Sequence, residues 1–232
     1  NYQTEEWHCY KHDAKDAASI ATNDITSITQ SEDGKLWMTT YWAGVEQLDP
    51  ATGKFAHFGK KQVKGLPDNQ LWCVLDLGNG FLLAGHVKSG LSFIDTRHLV
   101  ARNFQHNQQD AFSISSNEVN SLYRDKRGTI WIGTSRGIDI FDPLSQRFLH
   151  VSDQIFGSHR IFDFCELPDG KMLVATEQMG IAVLDVNRKL FEASTQVPCS
   201  FINQGIGDYN LSGNSIRCML LDKYNNVWAG LY

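Results

Sequence analysis

The sequence lacks several features that are typical of large protein classes. No apolar run approaches the roughly 20 residues that a membrane helix needs, and the N-terminus has no signal-peptide pattern. The net charge is −5 and the basic residues are dispersed. No basic stripe is therefore available to neutralise phosphates, and we expect no nucleic-acid partner. These absences leave either a cytosolic protein or a piece of a longer chain.

Motifs of enzyme and metal chemistry are also missing. The five cysteines are widely spaced and contain no CxxC pair. No GxSxG motif, P-loop or carboxylate pair placed by a sugar-hydrolysis motif occurs. The segment SEDGKLW comes close to the sialidase Asp-box, S-x-D-x-G-x-x-W, but is one residue too short. The sequence thus predicts no cofactor, no metal and no catalytic residue, with a polysaccharide-active enzyme as a less favoured alternative.

Glycine and tryptophan, by contrast, recur at regular intervals. Five segments align on one turn residue, at spacings of 46, 48, 42 and 55 residues: Gly34, Gly80, Gly128, Gly170 and Asn225. Nine positions before each lies an aliphatic residue: Ile25, Leu71, Val119, Ile161 and Ile216. Three positions after each comes tryptophan or leucine: Trp37, Leu83, Trp131, Leu173 and Trp228. The coincidence of these columns shows that the chain is a repeat array.

Each repeat contains four short β-type runs separated by turn signals, which is the unit of a β-propeller blade. The predicted fold is all-β, with four complete four-stranded antiparallel blades at about 23–60, 69–105, 117–152 and 159–192. Partial blades are predicted at 1–22, where residues 7–12 align with a fourth strand, and at 214–232. First strands near 25–29, 71–75, 119–123 and 161–165 are predicted to line the axis. Whether the chain closes into a ring or forms an open arc stays undecided at this point.

The repeated columns have structural explanations. Glycine or asparagine at the turn supplies a positive φ. The tryptophan fills space between neighbouring blades. An Asp-Pro pair ends the third strand, since proline cannot donate to the ladder. A column of asparagines before the first strands is interpreted as turn formers whose side chains bond to nearby backbone: Asn23, Asn69, Asn117 and Asn214.

A blade of the form N-x-[IV]-x-x-[IL]…DxxGxIWIGTxxGIxxFDP…F resembles the two-component regulator propeller repeat. Residues 117–143 match this pattern very closely, residues 23–58 well, and the other repeats more weakly. The resemblance implies the extracytoplasmic sensor region of a membrane-bound receptor, whose output is a histidine kinase or a diguanylate cyclase. It further implies a periplasmic location and a ligand derived from polysaccharide breakdown. A cytosolic propeller that only docks other proteins is the alternative.

The resemblance identifies no binding site, so the site is predicted from the positions at which the repeats differ. Loops between second and third strands and loops between blades should emerge on one face, and variable loops on a rigid frame commonly carry function. Aromatic rings beside charged and amide groups suit a sugar. The predicted ligand-binding residues are Tyr41, Trp42, His86, Lys88, Arg136, Glu177 and Gln178, with Tyr209 and Phe201 on a long loop after Phe191. Expected partners are a small molecule or oligosaccharide, adjoining blades or domains of a receptor, and a second copy of the chain.

Overall fold

A computed structural model describes residues 7–151, 153–186, 197, 199–205 and 210–232 of the chain. The described residues form eighteen β-strands and one short helix, α1 (Asp153–Phe156). The strands make four four-stranded sheets and one two-stranded sheet, each with its strands in chain order. The predicted all-β propeller fold is confirmed.

The bounds of the strands follow the repeat. The first sheet contains β1 (Ile25–Gln30), β2 (Leu36–Thr40), β3 (Val45–Asp49) and β4 (Lys54–Phe58). The second contains β5 (Leu71–Gly78), β6 (Phe81–His86), β7 (Leu91–Asp95) and β8 (Val100–Phe104). The third contains β9 (Val119–Arg124), β10 (Ile130–Thr134), β11 (Gly137–Asp142) and β12 (Arg147–Val151). The fourth contains β13 (Ile161–Glu166), β14 (Met172–Thr176), β15 (Ile181–Leu184) and β16 (Cys199–Ile202), and the last sheet contains β17 (Ile216–Leu221) and β18 (Val227–Leu231).

Two compact units divide the described chain. One comprises the described residues up to Ala84 together with Phe93–Arg102, and the other comprises Gly85–Ser92 and residues from Asn103 onward. The core of the first unit contains Trp37, Leu71 and Leu82, and that of the second contains Trp131, Phe164 and Val174. The second strands lie at the centre of these cores because they are covered on both faces. Every residue of β10 is buried, for example.

The predicted turn geometry is confirmed at all five repeats. Gly34, Gly80, Gly128 and Gly170 have φ of 84°, 77°, 86° and 83°, and Asn225 has φ of 65°. Asparagine replaces glycine at low cost here because its short side chain tolerates the left-handed region better than most. The turn column therefore sets the connection between first and second strands.

A β-bulge interrupts the first strand of four sheets. The register of β1 with β2, of β9 with β10, of β13 with β14 and of β17 with β18 shifts just after the aliphatic residue that opens the strand. The residue at the shift differs in each sheet: Thr26, Asn120, Phe162 and Arg217. A bulge redirects a side chain and increases local twist, and bulges are common beside binding sites.

Two predicted boundaries differ from the structure. The fourth strand of the fourth blade was predicted around Phe191, which lies outside the described residues, and the structure places that strand at Cys199–Ile202. Phe201 is therefore a strand residue opposite Ala182 and not a loop residue. The extra residues of this longest repeat lie between the third and fourth strands. Residues 7–12, predicted as a fourth strand, have no strand structure.

Candidate functional site

The loops that join second to third strands share one hydrogen-bonded frame. A threonine ends the second strand in three blades, and its hydroxyl donates to the carbonyl of the glycine that opens the third strand. The distances are 3.0 Å for Thr40, 3.1 Å for Thr134 and 2.8 Å for Thr176. The same hydroxyl accepts a backbone N–H from within the loop, for example that of Arg136 at 3.0 Å. These loops are thus held rigidly.

The glycine of each loop contacts the start of the next first strand. Its N–H donates to the carbonyl of a residue in the asparagine column at 2.8–3.1 Å: Gly44 to Asn69, Gly90 to Asn117, Gly137 to His159 and Gly180 to Asn214. The asparagine side chains accept backbone N–H groups from the preceding connection at 2.6–2.9 Å, which confirms their role as turn formers. Strand two-to-three loops and blade-to-blade connections therefore meet, as predicted, on one face of each unit.

An aromatic cluster lies on this face of the first unit. The ring of Tyr41 meets that of Trp42 at a centroid distance of 4.7 Å and that of Trp72 at 5.5 Å. Trp42 is 61% exposed. The indole N–H of Trp72 is buried and has no hydrogen-bond partner in the structure, which is costly for a buried donor. We call Tyr41, Trp42 and Trp72 the aromatic platform.

Sequence reasoning missed Trp72, although a signal was present. Trp72 follows the aliphatic residue of the first strand, at the position where the other repeats carry Thr26, Asn120, Phe162 and Arg217. That column holds a different residue in each of the five repeats. The predicted site drew on loop positions, whereas Trp72 lies within a strand.

The second blade corrects one predicted residue. His86 is the last residue of β6, not a loop residue, and it is fully buried. It occupies the threonine position, and its Nε2 lies 2.8 Å from the hydroxyl of Ser92, which donates to Asn103 at 3.0 Å. His86 therefore replaces the threonine in the frame and presents no surface to a ligand. Lys88, two residues later, is exposed as predicted.

In the fourth blade the predicted Glu177 is part of an ion-pair group. Arg160 lies 3.0 Å from Glu118 and 3.7 Å from Glu177 through its terminal nitrogens, and its buried Nε has no partner in the structure. Gln178 is exposed. Arg160 is a polar group of this face that sequence reasoning missed, because it stands at the start of a first strand. Tyr209 lies outside the described residues.

Arg136 opens onto a pocket in the second unit. The pocket has a volume of about 420 Å³ and is lined by His106, Ser115, Arg136, His150, Gly157 and Ser158. We call it the Arg136 pocket. Arg136 itself is exposed. Two of the lining residues belong to the connection that precedes the third blade and two to the connection that follows it, so both connections build the pocket around the predicted residue.

A buried carboxylate–histidine pair supports this pocket from within. His150 Nδ1 lies 2.6 Å from the carboxylate of Asp139, whose other oxygen accepts the backbone N–H and hydroxyl of Ser115 at 2.8 and 2.9 Å. The first blade repeats the pair, with His57 Nδ1 at 2.7 Å from Glu46. Burial raises the pKa of Glu46, and the hydrogen bond from His57 offsets only part of that effect.

Among the described residues, no group of three or more histidine, cysteine, aspartate or glutamate side chains is placed to hold a metal ion. The chemistry available on this face is instead that of aromatic surfaces and of amide, hydroxyl, imidazole and guanidinium groups. Such groups bind ligands through stacking and hydrogen bonds.

A family model described as the two-component regulator propeller matches residues 19–42, 113–136 and 210–232. These segments contain the first strands, turn residues and tryptophans of three repeats. The chain belongs to the two-component regulator propeller family. The expected family is thereby confirmed on the motifs that suggested it. A comparison with curated proteins found no match to the chain.

Solved structures of related proteins agree with this membership. The chain is similar to the extracellular domain of the hybrid two-component system BT3049 from B. thetaiotaomicron, with 35% identity over 100% of this chain and 28% of that one, at a TM-score of 0.85. The extracellular domain of BT4673 from the same organism matches 96% of this chain and 27% of its own length at 19% identity and a TM-score of 0.73. Virginiamycin B lyase from Staphylococcus aureus, at 13% identity and a TM-score of 0.65, covers 89% of this chain and 62% of its own, and shares the fold alone.

The chain spans little more than a quarter of the length of the two extracellular domains. The activity, ligands and partners of such a receptor can therefore only be proposed for this chain. No helix among the described residues is long and apolar enough to cross a membrane.

Proposed function

We propose that the chain is a sensory, ligand-binding propeller from the extracytoplasmic part of a membrane-bound two-component receptor, and that its ligand is an oligosaccharide. The observation that carries the sensory role is the 35% identity to the extracellular domain of BT3049 over the whole of this chain. In this proposal the domain lies in the periplasm and performs no catalysis. It converts ligand binding into a signal through parts of the receptor beyond this chain.

The aromatic platform supports a sugar ligand. Trp42 offers an exposed ring against which the C–H face of a pyranose can stack. The phenol hydroxyl of Tyr41 and the indole N–H of Trp42 belong to the same cluster and can exchange hydrogen bonds with sugar hydroxyls. Sugar sites commonly combine an apolar surface with a few placed polar groups, and this cluster contains both.

Binding of neutral oligosaccharides to the 232-residue chain tests the proposal. Calorimetry with a panel of neutral oligosaccharides should identify one that binds, and Trp42→Ala should weaken that binding by about tenfold or more, as expected for the loss of a stacking ring. Trp7→Ala is the matched control, because Trp7 is 96% exposed and lies outside the platform. Unchanged affinity in a folded Trp42→Ala protein would move the site away from the platform. Absence of binding across the panel would favour the protein-docking alternative.

A further inference from the structure

We propose that the Arg136 pocket binds the anionic group, carboxylate or sulfate, of an acidic sugar residue. The proposal deepens the function proposed above by naming a ligand class, but it concerns a separate site. The pocket, of about 420 Å³, lies within the second unit and is lined by residues from two connections, from the loop between β10 and β11, and from β12. A volume of this size accommodates one monosaccharide unit.

The charge of the lining favours an anion. Arg136 contributes a guanidinium, which presents paired N–H donors that fit a carboxylate or a sulfate, and no acidic side chain is among the lining residues. The carboxylate of Asp139, which contacts the lining residues His150 and Ser115, is fully buried. Both of its oxygens are engaged, one with His150 and the other with Ser115. The carboxylate of Asp139 therefore does not compete with a ligand anion for the guanidinium of Arg136.

His106 adds a group suited to a neighbouring hydroxyl. Its Nδ1 lies 2.8 Å from the carbonyl oxygen of Ile114. A carbonyl can only accept, so Nδ1 carries a hydrogen and Nε2 of the neutral ring is the acceptor. The hydroxyl of a sugar can donate to that nitrogen while its anionic group pairs with Arg136. The pocket thus combines a cation with a hydroxyl-binding imidazole.

The first blade provides an internal comparison. Its connection HDAKDAASIATNDI aligns without gaps on HNQQDAFSISSNEV of the third blade, and both blades contain the buried carboxylate–histidine pair. Ala21 stands in place of Ser115, however, and Trp42 stands in the loop position of Arg136. The scaffold is repeated, whereas the hydroxyl and the cation are particular to the third blade. Differences on an otherwise identical frame are where function is expected.

The test uses monosaccharides that differ only in the group at C6, which is neutral in one and anionic in two. D-glucuronate, D-glucose and D-glucose 6-sulfate are titrated into the ¹⁵N-labelled 232-residue chain, with the Nε–H resonance of Arg136 and the amides of Gly157 and Ser158 as reporters. We expect glucuronate or glucose 6-sulfate, and not glucose, to shift these signals. The stronger of the two identifies the anion. In Arg136→Gln the affinity should fall about tenfold or more, since the neutral amide cannot form the charge-assisted hydrogen bonds of the guanidinium.

Arg124→Gln is the matched control. It removes the same charge from an exposed residue at the far end of β9, and it should leave glucuronate binding unchanged. Equal effects of glucose and glucuronate, or full affinity in Arg136→Gln, would overturn the proposal.

Its failure is distinguishable from failure of the sensory function. Oligosaccharide binding that depends on Trp42, without any effect of acidic sugars on the Arg136 signals, would contradict the anion site in the Arg136 pocket and leave the sensory function standing. Glucuronate binding at Arg136 without oligosaccharide binding at the platform would support the pocket and contradict the platform.

Discussion

Among individual side chains, an aspartate pairs with the tryptophan of the second strand in two repeats. The indole N–H of Trp131 donates to Asp125 at 3.1 Å, and that of Trp228 donates to Asp222 at 3.0 Å. The aspartate stands six residues before the tryptophan in both repeats. In the repeats where leucine replaces the tryptophan, at Leu83 and Leu173, leucine also replaces the aspartate, at Leu77 and Leu167. Both members of the pair are thus absent from the two leucine repeats, whereas the first repeat keeps Trp37 with Ser31 in place of the aspartate.

The carboxylate of Asp125 stays ionised despite its position. Burial alone would raise its pKa, but hydrogen bonds from the Trp131 indole and the Thr129 backbone N–H, together with the charge of Arg127, hold the pKa below its ordinary value. At Asp222, hydrogen bonds from Trp228 and Asn226 lower the pKa to about 2. The turn is thus built around an anion in both repeats.

Replacing Trp131 by alanine should cost about 3–5 kcal/mol of unfolding free energy, because the ring is fully buried and leaves a cavity. Trp228→Ala is the matched control, because Trp228 belongs to the same motif but is 64% exposed. This substitution should lower the unfolding free energy by less than about 1 kcal/mol. Urea denaturation of both variants measures the difference. Equal costs for the two would show that burial in the core is not what the tryptophan contributes.

The His57–Glu46 pair predicts a pH dependence of stability. Burial would lower the pKa of His57, but hydrogen bonds to the Ala17 carbonyl and to Glu46 outweigh it, so the folded pKa lies above the ordinary 6.5. The folded state then binds the proton more tightly than the unfolded chain. The stabilisation is fully present below pH 6.5 and is lost as the pH rises through the folded pKa.

We therefore expect the urea midpoint to fall as the pH is raised from about 6 to about 8. His57→Gln should flatten this fall, whereas His8→Gln, at an exposed histidine, should leave it intact. A parallel fall in the wild type and in His57→Gln would assign the pH dependence to other groups.

Within a single blade, the glycine that opens the third strand is constrained more tightly than the turn glycine. Gly137 has φ of 95°, and a Cβ there would lie 3.0 Å from the carbonyl oxygen of Phe156. Gly128 has φ of 86° but would place its Cβ in open space. Both positions disfavour a side chain through their backbone, and only Gly137 adds a steric conflict with the next connection.

Gly137→Ala should therefore destabilise the protein more than Gly128→Ala does. Gly128→Ala reports the strain of a left-handed alanine alone, about 1–2 kcal/mol, and the additional loss in Gly137→Ala reports the contact with Phe156. Thermal melts of the two variants at one pH make the comparison. Equal losses would mean that the connection containing Phe156 moves away from the added methyl group without cost. That connection would then not hold the Arg136 loop in place.

For the chain as a whole, the two-stranded sheet has an apolar surface that the described residues leave uncovered. Leu220, Tyr224, Val227, Trp228 and Tyr232 are all exposed. The fourth blade, by contrast, buries Met172 and Leu173 of β14, which correspond to Val227 and Trp228. Exposed apolar blade faces and strand edges favour association, so we expect a second copy of this chain to cover the surface in solution.

Light scattering should show an apparent mass that rises with concentration, and Trp228→Ser with Leu220→Ser should restore the monomer. Ser substitutions at Trp7 and Leu144, which are also exposed but lie outside this sheet, should leave association unchanged. A strictly monomeric wild type at high concentration would contradict the prediction and would favour the closed ring, in which the chain ends pair.

The sequence by itself determined the repeat, the blade as its unit, the positive φ of the turn column and the face on which the loops meet. These follow from local periodicity and from backbone geometry, and the same residue signals recur in each of the repeats. Only the tertiary structure decided which variable residues are available to a ligand. His86 and Lys88 stand two residues apart, yet one is buried in the loop frame and the other is exposed. Trp72 and Arg160 reach the same faces from first strands, and the Arg136 pocket gathers residues from 106 to 158. Such neighbours are brought together by packing between blades, a contact that no local spacing in the sequence encodes.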